Sequence, residues 1–238
     1  MQTLVILPTY NEAENIEIII NRIVRYVPET HILVVDGGSI DGTKTIVRKI
    51  SETNSRVHLL LEDKKRGLGK AYLAGFGWGL TRSYSRIVEM DGDLSHRVRD
   101  LVKLLSVKDA DLVIGSRWIE GGAVENWSRG REFLSRFSNR YVELVLKLGI
   151  LDSTSGFRVY TADLLRKIDL ESIKSEGYAF QIEMARAARS AGARIVEVPI
   201  TFRERKFGKS KISRSIVFEG MLRVTYWGLK RIGGGGGI

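Results

Sequence analysis

Two carboxylates one residue apart, Asp91 and Asp93, stand where the run Arg86-Ile87-Val88-Glu89-Met90 gives way to a turn, Leu94-Ser95-His96. Alternate residues of an extended chain point to the same side, so both carboxylates can aim at one point. A hard divalent cation takes such oxygen ligands and leaves its other positions to water or a substrate phosphate. Gly92, between them, lets a ligand come close to the backbone. The same tripeptide also occurs in ordinary turns, where the side chains bond neighbouring amides. The spacing alone does not choose between the two.

Other residues able to do chemistry recur at corresponding places. Pro8-Thr9-Tyr10-Asn11-Glu12 closes a short apolar strand; its Tyr can stack on a nucleobase and Glu12 can accept from a base or ribose. Asp36 ends a second apolar run and can accept from a base N–H or from the amides of its own loop. Arg117 follows a third and suits a phosphate. Arg203-Glu204-Arg205-Lys206-Phe207-Gly208-Lys209-Ser210-Lys211 crowds cations on one loop, which an anion such as a diphosphate would relieve. Ser39 and Ser155 have no plausible partner among His31, His58 and His96, which argues against a Ser/His nucleophile. His96 is a ligand or, more simply, part of the loop's packing.

The elements that must position these residues alternate. Strands are expected over Gln2 to Leu7, His31 to Val35, Arg56 to Leu61, the run before Asp91, Asp111 to Ser116 and Arg194 to Phe202. Helical spacing begins near Ile16, where Asn11 with Glu14 reads as the cap. It returns after Thr43, from Lys70 to Leu80, Val98 to Leu105, Glu132 to Leu148, Ala162 to Ile168 and Ala179 to Ala191. Such alternation implies an α/β fold, a mostly parallel sheet with helices on both faces. Ligands of these sheets bind beyond the carboxyl ends of the strands. Pro8, Asp36, the Asp91–Asp93 pair and Arg117 all fall there.

With 238 residues, 43% of them hydrophobic and 28% charged, the chain can bury a sizeable core. It has no Cys, which excludes disulfides and Cys-based metal sites or nucleophiles. Met1 leads straight into a strand pattern rather than a signal peptide, and no apolar run reaches spanning length. The net charge is +10, of which residues 203–231 hold +7, a patch suited to phosphates, an anionic membrane or nucleic acid. Domain boundaries follow: a catalytic unit over 1–212, an amphipathic helix over 213–232 and a Gly-rich tail over 233–238. That helix mixes Ile216, Met221, Leu222 and Trp227 with basic residues, so it lies either in a membrane interface or against its own domain.

The motifs resemble a known family. Pro8-Thr9-Tyr10-Asn11-Glu12, Asp36-Gly37-Gly38-Ser39-Ile40-Asp41-Gly42-Thr43 and Met90-Asp91-Gly92-Asp93 are similar to the nucleotide-sugar half of the family 2 inverting glycosyltransferases, which have the Rossmann-like GT-A fold. Gly67-Leu68-Gly69-Lys70, Gly115-Ser116-Arg117, Thr154-Ser155-Gly156-Phe157-Arg158, Gly177-Tyr178-Ala179-Phe180-Gln181 and Gly208-Lys209-Ser210-Lys211 narrow the resemblance to its dolichol-phosphate (polyprenol-phosphate) mannose synthases. It covers roughly residues 2 to 225.

The resemblance implies mannose transfer from GDP-mannose to a dolichyl or other polyprenyl phosphate, by a peripheral protein on the cytoplasmic face of a membrane. By position, Pro8, Tyr10, Glu12, Val35 and Asp36 would hold the guanosine. Asp91 and Asp93, with the Gly92 backbone, would hold Mg²⁺ or Mn²⁺ against the diphosphate. Arg117, Arg205 and Lys211 would bind diphosphate and acceptor phosphate, with Arg131 and Ser135 further on the acceptor side. Gly37 departs from the family's Asp, which bears on base or ribose affinity and donor preference. The family's appended spanning helices are missing, so a membrane-bound partner, a truncation or interfacial docking must supply the lipid contact. The rival donor is a UDP-sugar on the same scaffold. The rival class is a nonenzymatic nucleotide or nucleic-acid binder, against which no stacking platform accompanies the basic residues.

Overall fold

The computed structural model describes residues 2–64, 66–204 and 214–232, the last stretch with its side chains over 220–230. Strands β1 (Gln2–Thr9), β2 (Thr30–Asp36), β3 (Val57–Leu61), β4 (Tyr84–Glu89), β5 (Leu112–Ser116), β7 (Arg158–Thr161) and β8 (Ile195–Pro199) form one sheet in the order β3-β2-β1-β4-β7-β5-β8. All its pairings are parallel except those of β7, which runs antiparallel to both β4 and β5. The strands are apolar on both faces because helices cover both. Leu4 and Ile6 of β1 enter one core while Val5 and Leu7 enter the other, the two-residue alternation of a pleated strand.

Helices α1 (Ile16–Tyr26), α2 (Thr43–Thr53) and α4 (Val98–Ser106) close one face with Ile16, Ile19, Val47 and Leu101. On the other lie α3 (Leu68–Leu80), α5 (Arg129–Leu146), α6 (Ala162–Lys167), α7 (Gly177–Ser190) and α8 (Arg214–Ile232). Two glycines of α3 let it pack closely on the sheet: a Cβ at Gly75 would come within 2.7 Å of Ile6, and one at Gly79 within 2.8 Å of Ile87, whereas Gly77 faces open space.

Two expectations are corrected. Helix α1 begins at Ile16, not after Asn11; Asn11 takes a left-handed φ of 57° and its side chain accepts from the Ile40 amide instead of capping a helix. The run from Arg194 to Phe202 is not one strand. It breaks at Ile200, and β9 (Thr201–Arg203) pairs in parallel with β6 (Ala123–Glu125), a strand lying inside what reads as a Gly-rich loop. On α5, Phe133, Leu134, Phe137 and Leu144 are exposed. Among the described residues no helix is long and apolar enough to cross a membrane.

Candidate active site

The parallel strands β1, β2, β4 and β5 all end at one edge of the sheet, and the expected residues collect there. In the β1–β2 register Pro8 lies opposite Val35 and Thr9 opposite Asp36. Asp36 is fully buried, and its bonds are internal: Oδ1 accepts from the Gly38 and Ser39 amides at 3.1 and 2.8 Å, Oδ2 from Thr9 Oγ1 at 3.2 Å. Between the two roles left open for it, the loop-bonding one is observed. Gly37 donates its amide to the Thr9 carbonyl.

The loops after β1 and β2 are latched by side chains. Ser39 Oγ accepts from the Asn11 amide, Asn11 Oδ1 from Ile40, Thr43 Oγ1 from Glu12, and Asp41 from the amides of Ala13 and Thr43. This network holds Tyr10 and Glu12 beside Asp36, and it explains Asn11's left-handed backbone. Glu12 also accepts from Asn15 Nδ2 at 2.8 Å.

Asp91 and Asp93 leave the end of β4 with Asp93 buried and Asp91 partly open. Asp93 Oδ1 accepts from the Ser95 amide at 3.0 Å. Asp91 Oδ1 lies 3.5 Å from the Tyr72 hydroxyl, which donates to it, and Oδ2 lies 3.3 Å from His96 Nε2. His96 is buried between Phe157 and Phe202. Burial holds its pKa down to about 4 against the pull of Asp93, so at neutral pH it is an uncharged donor that orients Asp91. Among the described residues no three His, Cys, Asp or Glu side chains cluster as a complete metal cage. A pair of carboxylates with one side open is the donor set of a hard cation that shares its shell with substrate oxygens, and Asp91 and Asp93 fit that group. A Cβ at Gly92 would meet only Thr9 and Pro8 at 3.4 and 3.5 Å, so the glycine is not forced by crowding.

Two residues behind Asp91, Glu89 is fully buried and neither of its oxygens closes a hydrogen bond of ordinary length. Burial raises its carboxyl to about 7, although the Arg158 charge opposes the rise.

Arg117 follows β5 and is buried. Asp152 accepts from its Nε at 2.7 Å, its Nη2 at 2.6 Å and its amide at 2.9 Å, and Thr154 Oγ1 accepts from Nη2 at 2.9 Å. The guanidinium also lies among the rings of Trp118, Trp127 and Phe202. Its Nη1 edge takes no part in these bonds. Asp152 was not singled out from sequence; its partner is 35 residues away, and only the fold joins them.

Beside Arg117 opens a cavity of about 80 Å³ between α5, α7 and α8, with Trp127, Arg131, Ser135, Thr154, Tyr178 and Val224 in its wall. Arg131 lies 4.0 Å over the Trp127 ring and donates to Glu204. Arg131 and Ser135 thus line the same cavity. Arg205 and Lys211 lie outside the described residues.

Comparison with known proteins adds the following. The profile of Glycosyl transferase family 2 matches residues 4–169. A polyprenol monophosphomannose synthase of Mycolicibacterium smegmatis is 48% identical over 232 residues, spanning 96% of this chain and 88% of the relative. An undecaprenyl-phosphate mannosyltransferase of Micrococcus luteus is 47% identical over 230 residues, spanning 96% and 95%. The fold is similar to that of glucosyl-3-phosphoglycerate synthase from Mycobacterium tuberculosis in complex with Mn²⁺, uridine-diphosphate and phosphoglyceric acid, with a TM-score of 0.67, 19% identity and coverage of 98% and 78%. It is also similar to that of a mannosyltransferase from Pyrobaculum calidifontis in complex with GDP-Man and Mn²⁺, with a TM-score of 0.54, 19% identity and coverage of 99% and 76%.

Proposed function

The chain belongs to glycosyl transferase family 2, and from that premise we propose that it moves mannose from GDP-mannose to a polyprenyl phosphate, inverting the anomeric carbon. The observation that carries this is the meeting, at one sheet edge, of the Asp91–Asp93 turn, Arg117 and the cavity under α5 and α8. An activated sugar needs the first, its anionic acceptor the second, and a lipid tail the third.

The acceptor phosphate is ionised near neutral pH, so its oxygen attacks the anomeric carbon without a general base. The bond from that carbon to the β-phosphate oxygen breaks, and GDP departs with the electron pair. The demand is to bring two anions together and to hold the charge that develops on the leaving diphosphate. Asp91 and Asp93 would hold a divalent cation, Mg²⁺ or Mn²⁺, which neutralises the diphosphate when bound. Arg117, anchored by Asp152 and Thr154, offers its remaining edge to the same charge, and Arg205 and Lys211 are assigned to it from sequence. Preorganised donors of this kind act without reorganising during the reaction. Arg131 and Ser135 receive the acceptor phosphate. Pro8, Tyr10, Glu12, Val35 and Asp36 form the nucleoside side, Asp36 by fixing its loop.

The protein works as a peripheral enzyme on the cytoplasmic face of its membrane, meeting the lipid at the bilayer surface or through a membrane-bound partner. Labelled GDP-mannose incubated with a short polyprenyl phosphate should give chelator-sensitive mannosyl lipid. Calorimetric titration should show GDP binding tighter than UDP; the reverse order would move the donor assignment to a UDP-sugar.

A further inference from the structure

Helix α5 buries Asn139 in one stripe with Val142 and Leu146. An amide among apolar neighbours costs stability unless its hydrogen bonds are all made. At Asn139 they are. Nδ2 donates to the Ser135 carbonyl and to Thr154 Oγ1, both at 3.0 Å. Oδ1 accepts from Ser153 Oγ at 3.0 Å and from the Thr154 amide at 3.3 Å. A carbonyl only accepts and a backbone amide only donates, so the side chain has a single orientation.

Thr154 Oγ1 is equally committed. It accepts from Arg117 Nη2 at 2.9 Å and from Asn139 Nδ2, and it donates its hydrogen to Asp152 Oδ1 at 3.3 Å. A hydroxyl has one donor and two acceptor positions, and all three are taken. Thr154 therefore has nothing left to offer a ligand, although it stands in the cavity wall. Its hydroxyl joins side chains from two elements: Arg117 just past β5, and Asn139 on α5, one turn beyond Ser135 and two beyond Arg131. The guanidiniums of Arg117 and Arg131 also approach one indole, at 5.5 and 4.0 Å from the Trp127 ring centre. Two cations gathered round one ring repel, so their separation rests on the bonds behind them.

Resting on the assignment of the acceptor phosphate to Arg131 and Ser135, we propose that Asn139 is a positioning residue: through Thr154 it fixes the distance from Arg117 to the Arg131–Ser135 turn of α5. That distance sets the attacking phosphate oxygen against the leaving diphosphate, where a displacement of about 1 Å can cost about a hundredfold in rate. Asn139 acts only through the Thr154 hydroxyl, and the two side chains work as one unit.

Binding of a short, water-soluble polyprenyl phosphate to the full chain, followed by tryptophan fluorescence, tests this together with steady-state kinetics. Asn139→Ala and Thr154→Val should each weaken acceptor binding about tenfold and lower kcat about tenfold. Both should keep the KM for GDP-mannose and the Mn²⁺-dependent stabilisation by GDP, which a general loss of structure would not spare. Thr154→Val leaves Asn139 its other three bonds, and it carries the test should Asn139→Ala fail to fold. The double variant should be about as impaired as the worse of the single variants. Effects that multiply in the double variant overturn the proposal, as do wild-type acceptor binding and kcat in either folded single variant. A wild type that binds no polyprenyl phosphate overturns the acceptor assignment and the proposal with it. A wild type that binds it, beside an equally tight Asn139→Ala, overturns the role of Asn139 alone.

Discussion

Arg117 and Asp152 form a buried bidentate pair, with the carboxylate also accepting from the Arg117 backbone amide. The Asp is itself fixed, since Glu197 accepts from the amides of Leu151 and Asp152. Asp152→Asn would leave a desolvated guanidinium without its counter-charge, which typically costs about 3–5 kcal/mol. For a chain of this size that is a fall of roughly 10 °C in Tm. A thermal melt within 2 °C of wild type would show that the pair does not anchor Arg117. Arg117→Lys, which cannot form the fork, should lower kcat about a hundredfold.

Asp91→Asn and Asp93→Asn should each cut mannosyl transfer at least about a hundredfold while preserving the fold, because an amide oxygen can still accept the Ser95 and His96 bonds. The decisive measurement is the melting shift produced by Mn²⁺ and GDP together. Both variants should lose the Mn²⁺-dependent part, and a shift of wild-type size would remove these residues from the metal site.

The latch between the first two loops gives a different signature. Asn11→Ala removes the acceptor of the Ile40 amide and places alanine at a left-handed backbone position, a cost of about 1–2 kcal/mol. Loosening Tyr10 and Glu12 should raise KM for the donor several-fold and leave kcat near wild type. An equal fall in kcat with KM unchanged would place Asn11 in the chemistry.

Acid stability should expose two opposing buried groups. Glu89 has its pKa raised from the unfolded value to about 7, so its contribution strengthens as pH falls through 7. His96 has its pKa lowered to about 4, so its contribution weakens as pH falls below 6.5. Between about pH 4.5 and 6.5 the two offset each other. Glu89→Gln removes one of them, and its Tm should drop more steeply than the wild type's on going from pH 7 to 5. Parallel Tm curves would contradict the assignment.

Much of the fold was legible because the strands are buried on both faces and so read as unbroken apolar runs. The carboxylate pair drew notice from its spacing, but both residues lie past the end of β4, in a turn where strand alternation no longer decides which way they face. What stayed hidden depended on distant partners. Nothing near Arg117 in sequence points to Asp152, and Asn11 looks like a helix cap until the loop of Ser39 to Thr43 is brought against it. The direction of β7 was equally hidden, for four residues carry no sign of their orientation. On α5, apolar residues recur on two faces of one helix, so periodicity could not say which would be covered.

The reversed strand β7 has a consequence for how such an enzyme can diverge. Because it runs against its neighbours, the segment that enters it, Asp152 to Gly156, arrives at the same rim as the carboxylates leaving β4, while α6 departs at the far pole. The mouth is thus assembled from two stretches of chain that share no loop: the turns that leave β1, β2 and β4, and a rim delivered backwards from the second half. Either stretch can change its side chains without moving the backbone of the other.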